Sequence, residues 1–375
     1  MKITELFIYP IKSLGPLPVQ RARLRRESVE NDRRFMLLKV KPDGTYKNIQ
    51  ITYFPECALF HQRIDGNDIV VTYHVPEPPL FTPEAPEQRT ELRVPLTPKL
   101  DHRGLVDVSV GFSPTVAYRM GYPYDQWFTA CFGFEAILVY IGDQGREVLA
   151  HKPRDHYLWR QRQPRQQQNG WISSITAAIP SLGVGGGNGS EKKKKNDSDQ
   201  LTFNDIAPFL VTSRASLRDV SKRLPEGEDM DIRKFRPNIV IDDDDDTISP
   251  DGEKKLAAWE EDYWGELSVT RGGTGEEHRL ALTANCGRCV SINVDLEKGR
   301  PSEGELGIML KKLMADRRVD EGNKYAPVFG RYAFIAPPKD GVDGDVDDVV
   351  EVAVGDEIRV TKRLSYRDEW AWPKY

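Results

Sequence analysis

Along its first hundred residues the chain alternates short apolar runs with proline, glycine and charged punctuation. Residues 3–9 predict a β-strand that stops at Pro10, and Lys12-Ser13 then lead into a turn at Leu14-Gly15-Pro16-Leu17-Pro18. Further strands are predicted near 19–24, over 33–40 ahead of the Pro42-Asp43-Gly44 turn, and at 68–73 and 90–94. Short strands at this spacing point to a small barrel or sandwich. The pattern changes at 113–132, where aromatic and apolar residues fall at roughly helical intervals behind a Ser113-Pro114 start signal. Residues 135–141 return to strand.

Periodicity is lost between about 160 and 200. The glutamine-, glycine- and lysine-rich tracts there cannot bury enough apolar surface to order themselves, so they predict a flexible insertion in which only 171–182 could dock. Order resumes at Leu201. Residues 211–217 lead into a helix with Leu217, Val220 and Leu224 on one face, and 235–241 read as a strand entered through Pro237. Beyond them 303–313 read as a helix, 328–334 as turn and strand, and 352–361 as a strand pair around Gly355-Asp356. The aspartate run 242–246 lacks the alternating ligand spacing of a calcium loop and reads as solvated. The fold class expected is mixed α+β dominated by β. Its units are 1–160, the insertion 161–200, a second unit 201–363 and a tail 364–375.

Composition narrows the partners. A net charge of −5 over 375 residues argues against a broad nucleic-acid surface. Cys57, Cys131, Cys286 and Cys289 are too few and too unevenly placed for a secreted disulfide scaffold, so a reducing interior is expected. The chain opens directly on a strand-like segment, without signal or transit features, and no uncharged apolar run approaches a membrane span. The expected location is intracellular, cytoplasmic or mitochondrial-associated.

The densest chemistry lies at Asn285-Cys286-Gly287-Arg288-Cys289, followed by a β-branched run, 290–294, that predicts a strand. A guanidinium between two thiols favours a thiolate, which could serve as nucleophile, redox partner or metal ligand. Structural zinc is disfavoured because no second paired-cysteine knuckle or HxxxH spacing accompanies it. A thioredoxin-like dithiol is disfavoured by the strand-like run, since that chemistry sits at a helix N-terminus. Two ordinary buried cysteines remain the bland alternative. Phosphate-capable donors also stand at strand ends: Lys12-Ser13, Arg33-Arg34, Arg236 with Asn238, and Arg288. Each alone could be a solvated rim charge. No P-loop or GxGxxG accompanies them. Asp295 and Tyr332 could be polar groups near the thiolate, or a turn cap and a core aromatic.

Taken in order, these segments resemble a known family. Ile8-Tyr9-Pro10-Ile11-Lys12-Ser13 and Asp32-Arg33-Arg34-Phe35 are similar to the opening of the MOSC N-terminal β-barrel domain. Phe235-Arg236-Pro237-Asn238, Cys286-Gly287-Arg288-Cys289 through Asp295, Phe329-Gly330-Arg331-Tyr332 and Val354-Gly355-Asp356 are similar to the MOSC domain. Within that family the chain most resembles the mitochondrial amidoxime-reducing components. The resemblance implies a MOSC N-terminal barrel over 1–160 packed on a MOSC barrel over 201–363, and a molybdenum cofactor (Mo-molybdopterin) with Cys289 as the protein ligand of molybdenum. The cofactor-binding residues implied are Lys12, Ser13, Arg33, Ile206, Ala207, Arg236, Asn238, Gly287, Arg288, Cys289 and Tyr332. Asp295 is a further candidate, for proton placement. A soft sulfur ligand and scattered cations suit a sulfur-rich metal site with an anionic pterin phosphate. The activity implied is two-electron reduction of N-hydroxylated compounds, with cytochrome b5 and its NADH-dependent reductase as electron donors. At domain level pyridoxal phosphate binding is also implied. The family's Thr-x-Arg pattern is replaced by Gln50-Ile51-Thr52, which bears on substrate range. The rival expectations are a sulfur carrier or cofactor-handling protein, and a non-catalytic barrel.

Overall fold

The computed structural model describes residues 1–80, 82–162, 200–243, 255–337 and 349–370. The low-complexity tracts between 163 and 199 and the aspartates 244–246 lie outside the described residues.

Seven strands close a barrel in the spatial order Lys2–Ile8, Ile239–Asp242, Phe209–Ser213, Val328–Ile335, Glu277–Gly287, Trp264–Thr270, Glu357–Arg363, and back to Lys2–Ile8. All neighbours are antiparallel except Phe209–Ser213 with Ile239–Asp242. Inward-facing Ile3, Val211, Ile241, Leu267, Leu280 and Ala333 fill its interior, and closure leaves little edge for stray pairing. The first strand therefore belongs to the second barrel, although it stands at the head of the first sequence unit. Arg21–Arg25 likewise pairs with Val349–Ala353. The two strands expected around Gly355 flank it but pair with different partners.

The remaining strands form a separate layer. A five-stranded antiparallel sheet runs Tyr46–Asn48, Phe35–Val40, Ala136–Tyr140, Ser113–Arg119, Leu105–Val110, and a three-stranded meander is built from Phe60–Asp65, Asp68–Tyr73 and Leu92–Pro95. The helix Tyr124–Phe132 packs against them, and Phe60 stacks on Phe132 at 4.6 Å between centroids. The β-dominated fold expected from the sequence is the fold observed.

Two local expectations need correction. Residues 113–119 are a strand, because Gly111 at φ 62° turns the chain back on Leu105–Val110 and sets Ser113 opposite Val110. The helix starts only at Tyr124, after Gly121 and Pro123. Residues 290–293 form a 3-10 turn, with strand limited to Val294–Asp295. Burial of Ile292 against the second half's core, and the Asn293 side chain accepting from the Leu310 N–H at 2.9 Å, override the β-branched preference there.

Within the expected tail, Leu364, Asp368 and Trp370 are buried. The carboxylate of Asp368 pairs with the fully buried Arg331 and with His156, whose Nε2 lies 2.9 Å away. Arg331 also donates to Asn285 Oδ1 and to the carbonyls of Asp262 and Leu282, each at 3.0 Å. Removing one member of a buried ion pair leaves an uncompensated charge, at about 3 kcal/mol. Asp368→Ala should therefore lower the unfolding free energy in denaturant titrations by about 3 kcal/mol. A loss below about 0.5 kcal/mol would show that Arg331 is neutralised without it.

Candidate functional site

Both layers contribute walls to one cavity of about 240 Å³. From the first half come Lys12, Ser13 and Arg33, with Gln50, Ile51 and Thr52 at another wall. The barrel supplies Phe235, Arg236 and Asn238, then Cys286 to Cys289, Ser291 and Tyr332, and the 204–207 loop adds Asn204, Asp205 and Ala207. The strand ends thus bring four cations drawn from four separate stretches to one place.

The buried carboxylate of Asp32 organises them. It accepts from the Tyr9 N–H at 2.6 Å, from Arg33 Nη1 at 2.5 Å, and from the side-chain amides of Asn204 and Asn238 at 3.2 Å each. Asn238 also bridges Phe7 O and the Leu210 N–H, so it locks the first strand to the barrel. Arg33 and Arg236 both lie over the Tyr9 ring, at 4.5 and 4.2 Å. Ser13, Arg33 and Arg236 all adopt positive φ, at 76°, 50° and 54°. Such backbone strain in non-glycine residues persists where the surroundings over-determine it, and it gathers at functional sites.

The cations are not all satisfied. Arg236 donates Nη1 to Leu14 O at 3.0 Å, while its buried Nη2 has no partner. Arg288 donates to Cys286 Sγ at 2.8 Å and to Phe235 O at 2.6 Å, while its buried Nε has none. Unpaired buried donors cost stability unless a ligand meets them. Lys12 is engaged by Asp205 Oδ1 at 2.5 Å and Phe203 O at 2.8 Å. Burial pushes its ammonium down to about 8, against the opposing pull of Asp205.

The two cysteines differ. Cys286 is buried, and burial raises its thiol pKa against the pull of Arg288 and a hydrogen bond from the Tyr332 hydroxyl. Cys289 is the exposed thiol, next to the hydroxyls of Ser291 at 3.1 Å and Thr52 at 3.4 Å. The arginine between them gives its hydrogen bond to Cys286. Two irregularities in the strand Glu277–Gly287, at 282–284 and 285–287, precede this turn and re-aim it. Gly287 sits where a Cβ would come within 3.0 Å of the Asn323 amide.

Of the residues expected at the site, all but two line the cavity. Asp295 does not: its Oδ1 accepts the N–H groups of Glu297 and Lys298 at 3.0 and 2.9 Å, which makes it a turn cap ahead of Gly299. Ile206 is not a lining residue: its side chain packs with Leu149, Ala150 and Ala207, and its carbonyl accepts the Ala150 N–H at 3.0 Å. Sequence reasoning missed Asp32, Asn204, Asp205 and Ser291, and read Thr52 only as part of a missing pattern. Arg34 turns aside to Tyr140 and Gly142.

The donor set fits an anionic, sulfur-rich cofactor. It offers unpaired guanidinium N–H groups, an ammonium and one accessible soft ligand. Among the described residues no group of three or more His, Cys, Asp or Glu could hold a metal by itself, and no helix is long and apolar enough to cross a membrane.

Comparison with known proteins agrees in kind. Residues 1–133 match the family model of the MOSC N-terminal beta barrel domain, and 198–359 match that of the MOSC domain. The mitochondrial amidoxime-reducing component 1 of Homo sapiens is 32% identical over 144 residues, 37% of this chain and 36% of that protein. The Danio rerio protein of the same name is 30% identical over 134 residues, 36% of this chain and 34% of its own length. A molybdenum cofactor sulfurase of Aspergillus fumigatus is 22% identical over 351 residues, 89% of this chain and 37% of that protein. The matches thus span about a third of the relatives' length.

With Lys12 as the titrating cation, inorganic phosphate should bind the purified protein more weakly as pH rises through 8, where the ammonium loses its charge. Calorimetric titration between about pH 7 and 9.5 reads this. Lys12→Met should flatten the profile, and a flat wild-type profile would remove Lys12 from anion binding.

Proposed function

Since the chain is a MOSC-domain protein, with a MOSC N-terminal beta barrel domain followed by a MOSC domain, we propose that it is a molybdenum cofactor-dependent oxidoreductase that removes oxygen from N-hydroxylated compounds. The single supporting observation is an accessible thiol, Cys289, at a cavity whose other walls carry buried cations with unpaired donors. When bound, the cofactor supplies two-electron oxygen-atom exchange.

The chain's own residues bind and orient. Cys289 is the protein's sulfur ligand. Arg236 and Arg288 offer their unpaired N–H groups to the anionic parts of the cofactor, and Lys12, Ser13 and Arg33 complete the cationic wall. Asn238 and Asp32 hold that wall in place from behind. Gln50 and Thr52 form a neutral wall beside Cys289, where an uncharged amidoxime or hydroxylamine meets no competing charge. Electrons come from a cytochrome b5 and its NADH-dependent reductase. Pyridoxal phosphate is a poorer occupant: Lys12, the lysine in the cavity lining, already binds Asp205 and Phe203.

A second reading, a sulfur carrier or cofactor-handling protein, draws support from the sulfurase match across 89% of the chain. A persulfide on Cys289, detected by mass spectrometry and accompanied by no benzamidoxime reduction, would favour it.

Metal and pterin analysis of protein from a cofactor-competent host, with a benzamidoxime assay under a chemical reductant, tests the first reading. Cys289→Ser should lose molybdenum and activity together. Equal molybdenum in both proteins would remove Cys289 as ligand.

A further inference from the structure

One group is out of place in a cavity built for an anion. Asp205 lines it, and 60% of its side-chain surface is open. Lys12, Arg33 and Arg146 together hold its carboxyl far below the usual range, outweighing burial. Its Oδ1 binds Lys12, and its backbone carbonyl accepts from Arg146 Nη2 at 2.8 Å, which fixes the loop. Among the described residues its Oδ2 takes part in no hydrogen bond. A phosphate would be repelled by this carboxylate, so a site for phosphate alone would not keep it.

Resting on the cofactor reading above, we infer that Asp205 is the group that recognises the aminopyrimidinone edge of a pterin. That edge presents a ring N–H and an exocyclic amino group side by side, both donors. A fixed carboxylate is the complementary acceptor, and a charge-assisted pair of this kind is stronger than a neutral one. Lys12 keeps the carboxylate ionised and aimed, so little reorganisation accompanies binding. The cavity then divides into two zones. Guanidinium N–H groups of Arg236 and Arg288 meet the anionic end of the ligand, and Asp205 meets its ring.

Two small probes separate the zones. 6-Hydroxymethylpterin carries the edge without a phosphate. Lumazine replaces the amino group with a carbonyl, which a carboxylate repels and a carboxamide accepts. Fluorescence titration of cofactor-free protein should show about tenfold preference for the pterin. Asp205→Asn should erase or invert that preference and leave inorganic phosphate binding equal or tighter. Asp205→Glu should restore it, and Lys12→Met, which releases the aimed carboxylate, should weaken phosphate binding and lower the ratio without abolishing it. A pterin-to-lumazine ratio unchanged in Asp205→Asn overturns this assignment and leaves the cofactor reading standing. Wild-type protein that binds neither pterin nor phosphate overturns both. Thermal melting separates a misfolded variant from one that has lost selectivity, because the ratio is read within a folded protein.

Discussion

The carboxylate of Asp32 is the constraint on which the site depends. It is fully buried and takes hydrogen bonds from Tyr9, Arg33, Asn204 and Asn238, four residues spread over some two hundred positions. A buried charge is tolerable only when paired and hydrogen-bonded on most sides. That requirement makes the segments assemble together or not at all. Arg33, bound to Asp32, lies over the Tyr9 ring, and Arg236 stacks on the same ring. Cations that would otherwise repel are held side by side by an anion and an aromatic face.

The strain at Ser13, Arg33 and Arg236 belongs to the same arrangement. Each left-handed residue costs roughly 1 kcal/mol, and the unpaired N–H groups of Arg236 and Arg288 add a further penalty. These costs fall around one cavity rather than over the surface. A ligand that met those donors would recover part of them, which is how a folded scaffold can be poised for an anion. The neutral wall of Gln50 and Thr52 contributes no such tension.

The cationic residues were legible because each stands at a strand end inside a local motif, and a motif survives without knowledge of what it touches. Strand spacing in the first hundred residues pointed to a small barrel or sandwich, but the closed barrel is made mostly of later strands that entered through the family resemblance, and Trp264–Thr270 and Glu277–Gly287 went unread. The strand Ser113–Arg119 was lost because aromatic residues at irregular intervals imitate a helical face, and its partner Leu105–Val110 went unread despite regular alternation. The roles of Asp32, Asn204 and Asp205 went unread for a different reason, although Asp32 stands in the Asp32-Arg33-Arg34-Phe35 motif. Their roles lie in contacts across 170 residues or more, which no local spacing encodes. Asp295 erred in the opposite direction: it stands close to the thiol in sequence, yet the turn after Cys289 carries it away, where it binds the next loop.

The enclosure of Lys2–Ile8 between Ile239–Asp242 and Glu357–Arg363 also governs how the molecule is made. Lys2–Ile8 can pair early with the neighbouring Leu17–Val19, but its two barrel neighbours lie far along the sequence, at Ile239–Asp242 and Glu357–Arg363. The sheet around Phe35–Val40 and Ala136–Tyr140 has all its partners much earlier. Assembly is thus staged: the first layer can condense while the opening strand holds only its short partner Leu17–Val19, and the ring shuts once Glu357–Arg363 is in place. An isolated piece cut between the halves would leave that strand behind and the barrel with a missing stave.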